Sequence, residues 1–236
     1  MDFDQENGLL RMFLTEEEEK EVIEWCKEKE GRRSDIFEFR LEKGDQLREE
    51  GNEFFKKGEY ETARKHYYAA IYQVDFDIGQ QWNLMENHQK DLNTRKLKII
   101  SNICAAWLKA GDFQNTKTAA DIGLRHLEKS GFKDEEAEAK FLYRKGLANL
   151  ERGFSEDAYK DLKKAELLSP GDKQIRELLK KASKEQKVDR EVAKTVWKKK
   201  LLTEDEKKCM GPAYLPETQW ARLRARCRAC CRRKVA

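Results

Sequence analysis

Proline is scarce in this chain, with three residues in 236. Charged residues, in contrast, make up 40%. Together these argue against a turn-rich sandwich or barrel and for long solvated helices. No apolar run approaches the roughly 20 residues needed to span a bilayer. The opening MDFDQENGLL is acidic and lacks the basic-then-apolar order of a secretory signal. The six cysteines are scattered or gathered in the tail without a disulfide framework, so a cytoplasmic chain with free thiols is expected. Histidine numbers three. His66 and His126 fall on charged helix faces and His88 in a linker; none has a cysteine, serine or acid at a telling spacing, and all three read as surface residues. Cys26 and Cys104 read as core. Cys227, Cys230 and Cys231 have no fourth ligand nearby, which argues against zinc. No catalytic constellation, metal set or cofactor motif emerges, so neither enzymatic activity nor a small-molecule substrate is expected.

What the chain does contain is a recurring helical hairpin. Lys43 to Ala70, KGDQLREEGNEFFKKGEYETARKHYYAA, reads as two helices joined at Lys57-Gly58-Glu59. Leu47, Gly51, Phe54 and Phe55 share one side of the first helix; Ala63, Tyr67, Ala70 and Ile71 share one side of the second. Glycine inside a helix costs about 1 kcal/mol against alanine, so Gly51 predicts a close helix-helix approach. Lys57-Gly58-Glu59-Tyr60 recurs as Ala110-Gly111-Asp112-Phe113. A third copy runs through Gly146, Ala158, Ala165 and Pro170. The copies start near residues 44, 97 and 139, offsets of 53 and 42. Both exceed the 34-residue period of a tetratricopeptide array, with the extra residues falling between hairpins, where a solenoid accepts them. The second copy departs most, with Cys104 at a small-residue position and Thr116 where alanine is usual. The expected fold is all-α: three tetratricopeptide hairpins in a right-handed superhelix with a C-terminal capping helix.

Four regions follow. Residues 1–43 form an acidic segment, with eleven acids and four bases in the first thirty. It has an apolar patch at Leu9, Leu10, Met12, Phe13 and Leu14, and one helix from Glu16 to about Glu30, capped by Thr15, ended by Gly31 and expected to lie on the first repeat. Residues 44–172 form the repeats. Within them, 79–91 read as a linker whose Trp82, Leu84 and Met85 fold back on the array, and the second repeat's first helix is placed from about Leu92 to Lys109. Residues 173–202 form the capping helix. Its stripe of Ile175, Leu178, Leu179 and Ala182 suits an exposed flank, and Val188, Val192 and Val196 follow at four-residue spacing. Residues 203–236 are expected to be unpacked, after a possible capping box at Thr203-Glu204-Asp205-Glu206. Residues 222–234 hold seven Lys/Arg and no acid. That stretch suits an anionic membrane surface, with Cys227, Cys230 and Cys231 as lipidation candidates, or nuclear or nucleic-acid contact, or an inert solvated tail.

In such an array the first helices of successive hairpins line a groove. Arg48 and Asn52 are four apart on the first of these helices, Asn102 lies on the second, and Lys140 and Arg144 are four apart on the third. Four-residue spacing stacks side chains on one face. These five residues resemble the two-carboxylate clamp of tetratricopeptide co-chaperones, which bind the Glu-Glu-Val-Asp tail of cytosolic heat-shock chaperones of the ninety- or seventy-kilodalton class. The resemblance covers about 44–172 and implies that Arg48, Asn52, Asn102, Lys140 and Arg144 grip the terminal aspartate. One position departs: Arg48 stands where the family usually has lysine, keeping charge but changing geometry.

The insertion after the first hairpin and the helix ending VAKTVWKKKLL are similar to the immunophilin-type subset of that family. About 43 residues precede the repeats, too few for the prolyl isomerase domain that subset often carries, so isomerase activity is not expected. The expected function is therefore an adaptor that recognises an acidic C-terminus. The rival readings are a prolyl isomerase relative and a membrane or nucleic-acid surface binder acting through the basic tail.

Overall fold

Helices follow one another without a strand among the described residues, which are 8–76 and 85–201 of the computed structural model. After a 3-10 turn at Leu9–Met12 come α1 Glu16–Glu30, α2 Phe37–Lys56, α3 Tyr60–Val74, α4 Glu86–Lys109, α5 Phe113–Ser130, α6 Glu135–Glu151, α7 Ser155–Leu168 and α8 Lys173–Leu201. From α2 onward, each helix packs on the next. In addition α2 touches α4 and α4 touches α6, so the first helices of the three hairpins form a common inner layer. Among the described residues no helix is long and apolar enough to cross a membrane.

The three hairpins close by the same turn. Gly58, Gly111 and Gly153 adopt φ of 82°, 79° and 78°, a left-handed conformation that glycine adopts without a Cβ penalty. The next residue's N–H then returns to a carbonyl five residues back: Glu59 to Phe54 at 3.0 Å, Asp112 to Trp107 at 3.1 Å and Phe154 to Asn149 at 2.8 Å. This is the Schellman closure of a helix end. Within the hairpins, glycine marks close approach. A Cβ on Gly51 would lie 2.5 Å from the Tyr67 ring, and one on Gly146 2.6 Å from Leu162. The irregular second hairpin compensates internally: Cys104 and Thr116 are both fully buried, and the Cys104 thiol donates to the Thr116 carbonyl at 3.5 Å. Burial pushes that thiol up to about 12, which leaves it an inert core group.

The N-terminal segment covers the outer flank of the first hairpin. Thr15 and Glu18 form a reciprocal capping box on α1, and Gly31 ends the helix. Leu10 and Cys26 are buried in the main core, and α1 packs on α3. The surface expectation for His66 fails here for that reason. His66 is buried, wedged between the rings of Trp25 at 5.0 Å and Phe54 at 4.8 Å. Its charged helix face is covered by α1, and Lys29 of α1 pairs with Glu50 beside it. His126 is also largely enclosed; burial, reinforced by the Lys96 ammonium, lowers its pKa to about 4.

The join between the first two hairpins differs from the sequence expectation as well. α4 begins at Glu86, six residues before Leu92, because its first turns find partners: His88 stacks on Phe37 at 5.0 Å and Leu92 is buried. His88 is thus helical, and Trp82 and Leu84 lie outside the described residues. α2 likewise starts at Phe37, so residues 43 and 44 fall inside one helix.

At the other end α8 lies against α7 and touches α6. Asp172 caps it, accepting the Gln174 N–H at 2.7 Å. Ile175 packs with Leu142 and Ala165, and Ala182 with Leu150, Ala158 and Leu162, joined by Leu178 and Leu179. Farther along, the Ser155 hydroxyl donates to Asp189 at 2.6 Å, and Val188 and Val196 are exposed. Thr203 to Glu206 and the basic tail with Cys227, Cys230 and Cys231 lie outside the described residues.

Candidate functional site

The inner layer of α2, α4 and α6 carries the five residues singled out by spacing. The structure joins Asn52 and Asn102 directly: the Asn102 amide donates to Asn52 Oδ1 at 2.8 Å. The same oxygen accepts the Tyr67 hydroxyl at 3.0 Å. Burial raises the Tyr67 phenol to about 12, so it stays a donor near neutral pH. With its oxygen held by α3 and α4, Asn52 turns its NH2 the other way, where it donates to Glu49 Oε2 at 2.9 Å. A short neutral amide is thereby fixed in one orientation by two neighbouring helices.

Arg144 is fixed from the third hairpin. Its Nη1 donates to both the carbonyl and the hydroxyl of Ser101, each at 2.7 Å. Ser101 precedes Asn102, so Arg144 lies beside the asparagine pair. Arg48, one turn before Asn52, pairs with Glu49 and lies 3.6 Å from Asp45. Lys140, one turn before Arg144, extends into solvent and pairs with Glu136 at 2.5 Å. The structure therefore brings Asn52, Asn102 and Arg144 onto one junction, with Arg48 and Lys140 one turn away along α2 and α6.

Three participants were not legible in the spacing. Tyr67 reads as a packing residue in the sequence, and its hydroxyl role depends on α3 meeting α2 at Gly51. Ser101 gives no motif signal. Glu49 reads as one more acid in a charged helix, yet it contacts both Arg48 and Asn52. The Asn52 amide, helped by Arg48, holds its carboxyl below the usual range. Among the described residues no group of three or more His, Cys, Asp or Glu is placed to hold a metal ion. What the site offers is fixed amide donors and guanidinium groups, the chemistry that receives a carboxylate.

The helical hairpins, their turns and their inner layer have the tetratricopeptide-repeat fold. The C-terminal TPR-containing domain of a Plasmodium falciparum FK506-binding protein superposes with a TM-score of 0.56 at 25% identity, covering 66% of this chain and 96% of that domain. Among curated proteins, the peptidyl-prolyl cis-trans isomerase FKBP42 of Arabidopsis thaliana is 30% identical over 190 residues, 80% of this chain and 49% of the relative. The peptidyl-prolyl cis-trans isomerase D of Kluyveromyces lactis is 29% identical over 141 residues, 60% of this chain and 36% of the relative. The chain thus spans half or less of the length of these curated relatives. No family model matches it.

Proposed function

We propose that the inner face of the hairpins binds the acidic C-terminus of a partner protein, with Arg48, Asn52, Asn102, Lys140 and Arg144 receiving its two carboxylates. The observation that carries this reading is the Asn52–Asn102 contact at 2.8 Å, flanked by Arg144 on Ser101. A C-terminal aspartate presents a main-chain and a side-chain carboxylate on one residue, and charge-assisted hydrogen bonds from guanidinium and ammonium groups are the strong class. The fixed amides orient that residue without adding charge. The partner implied by the clamp resemblance is a cytosolic heat-shock chaperone ending in Glu-Glu-Val-Asp, which makes the protein a cytoplasmic co-chaperone adaptor. Its mechanism is recognition, and a peptide isomerisation assay separates this reading from that of a prolyl isomerase.

Calorimetry tests the binding. A peptide ending in Glu-Glu-Val-Asp should bind at micromolar strength, about −8 kcal/mol, and amidation of its C-terminus should remove most of that. Arg144→Ala should do the same. Equal affinity for the acid and the amide would overturn the clamp.

A further inference from the structure

The proposed clamp is not idle in the ligand-free chain. Glu49 Oε2 accepts the Asn52 amide at 2.9 Å while Oε1 accepts from the Arg48 guanidinium. One carboxylate of the protein thus occupies two of the five groups assigned above to the ligand. Asp45 sits on the far side of Arg48, 3.6 Å from Nε, and pairs also with Arg95 of α4. The Nε atoms of Arg48 and Arg95 are buried without a hydrogen-bond acceptor. Arg144 differs: its two hydrogen bonds go to the neutral carbonyl and hydroxyl of Ser101.

From this we infer that Glu49 is a built-in competitor for the peptide site, a carboxylate that stands where the ligand's own would come and is displaced as Arg48 and Asn52 bind it. The inference rests on the clamp reading of the groove. Its physical basis is exchange. One N–H of the Asn52 amide is held by Glu49, so an arriving ligand carboxylate either replaces Glu49 there or takes the second N–H with Glu49 beside it. If Glu49 stayed, two like charges would face each other across one amide, which is unfavourable. Glu49 can leave at low cost, because its side chain is 62% exposed and water receives it. Arg48 and Arg144 should therefore contribute unequally. Arg144 gives up no carboxylate on binding, whereas Arg48 gives up Glu49.

The test is calorimetry of the full chain with a synthetic peptide ending in Glu-Glu-Val-Asp, as free acid and as C-terminal amide. The proteins are wild type, Glu49→Gln and Glu53→Gln. Glu53 lies on the same helix, is equally exposed and pairs with Lys56 at 2.7 Å, so its replacement makes the same charge change away from Asn52. The expected result is about fivefold tighter binding of the acid peptide by Glu49→Gln, the size of one exposed ion pair relinquished, and less than twofold change for Glu53→Gln. The Asn52 side-chain amide resonance should also move in peptide-free Glu49→Gln and hold its place in Glu53→Gln. If the two variants bind the acid peptide alike while the amide remains weak, the competitor role is wrong and the clamp stands. If the Asn52 resonance does not respond to Glu49→Gln, the competitor role is wrong for lack of the contact. If acid and amide bind alike in all three proteins, the clamp reading fails and Glu49 has nothing to compete with.

Discussion

The flank of the first hairpin is covered by the 3-10 turn and α1, and that of the third by α8, yet the two covers are held by different forces. At the N-terminal end, apolar packing is joined by buried charge. Arg40 is almost fully buried. It donates to the Gln73 carbonyl at 2.8 Å and the Asp75 carbonyl at 2.7 Å, and stacks 3.7 Å from the Phe76 ring. The Asp75 carboxylate accepts the Leu9 N–H at 2.7 Å and lies 3.6 Å from the buried Lys96 ammonium. One short acid thus links the N-terminal turn, the end of α3 and α4. At the C-terminal end the cover is an apolar stripe at helical spacing, with an exposed ion pair of Lys181 and Glu151 at 3.3 Å and the Ser155–Asp189 hydrogen bond beside it. A stripe can be read from sequence and can be lengthened or shortened by turns. A buried ionic knot requires all its members at once, because an unpaired charge in the interior is costly.

The largest effect that would sharpen this contrast comes from removing the C-terminal stripe. Truncation before Asp172 should destabilise the array by about 5 kcal/mol, from four apolar side chains and the core they cover, whereas ending the chain after Leu202 should leave stability within about 0.5 kcal/mol. Urea denaturation of the three chains checks this, and an unchanged midpoint for the shorter cut would break the capping role. Next is the ionic knot: Asp75→Ala strands Lys96 and the Leu9 N–H together and should cost about 3 kcal/mol in the same measurement.

The third effect is a pH dependence that originates at His126 in the second hairpin. Folded His126 has a pKa of about 4, lowered first by burial and then by Lys96, against about 6.5 in an unfolded chain. The unfolded state therefore binds more protons between these values, and stability falls as pH drops through that window. From pH 7 to pH 5 the loss should be about 2 kcal/mol, and His126→Gln should flatten that part of the profile. An unaltered slope would place the titration elsewhere. The smallest effect is at the far end of α8, where Val192→Ser lies beyond the stripe and should shift stability by no more than about 0.5 kcal/mol.

Much of the hairpin architecture was legible because its determinants are local. The Gly58 and Gly111 turns, the Gly51 and Gly146 contacts, the Thr15 cap and the Ile175 to Ala182 stripe each sit within a few residues of the partner that defines them, or repeat at a fixed spacing. The start of α4 was not legible, because Glu86 to Asp91 is polar and has no helical pattern of its own. His88 is held in place by Phe37, half a hundred residues earlier. The histidines were misread for the same reason. A charged helix face predicts exposure only until another helix is laid across it, and α1 does that to His66. At the groove, the identities of Arg48, Asn52, Asn102, Lys140 and Arg144 stood out by spacing, but Tyr67, Ser101 and Glu49 did not, since their roles are set by which donors and acceptors face them.

By itself, the sequence determined the helical hairpins, their turns and the face on which each candidate ligand residue lies, because helix periodicity and glycine conformation act over one or two turns. Only the tertiary structure decided that Asn52 is oriented by Tyr67 and Asn102, and that Arg40, Asp75 and Lys96 share one buried site. Those outcomes depend on hydrogen bonds and charges between residues from 15 to 66 positions apart, and such pairings exist only once the helices have packed.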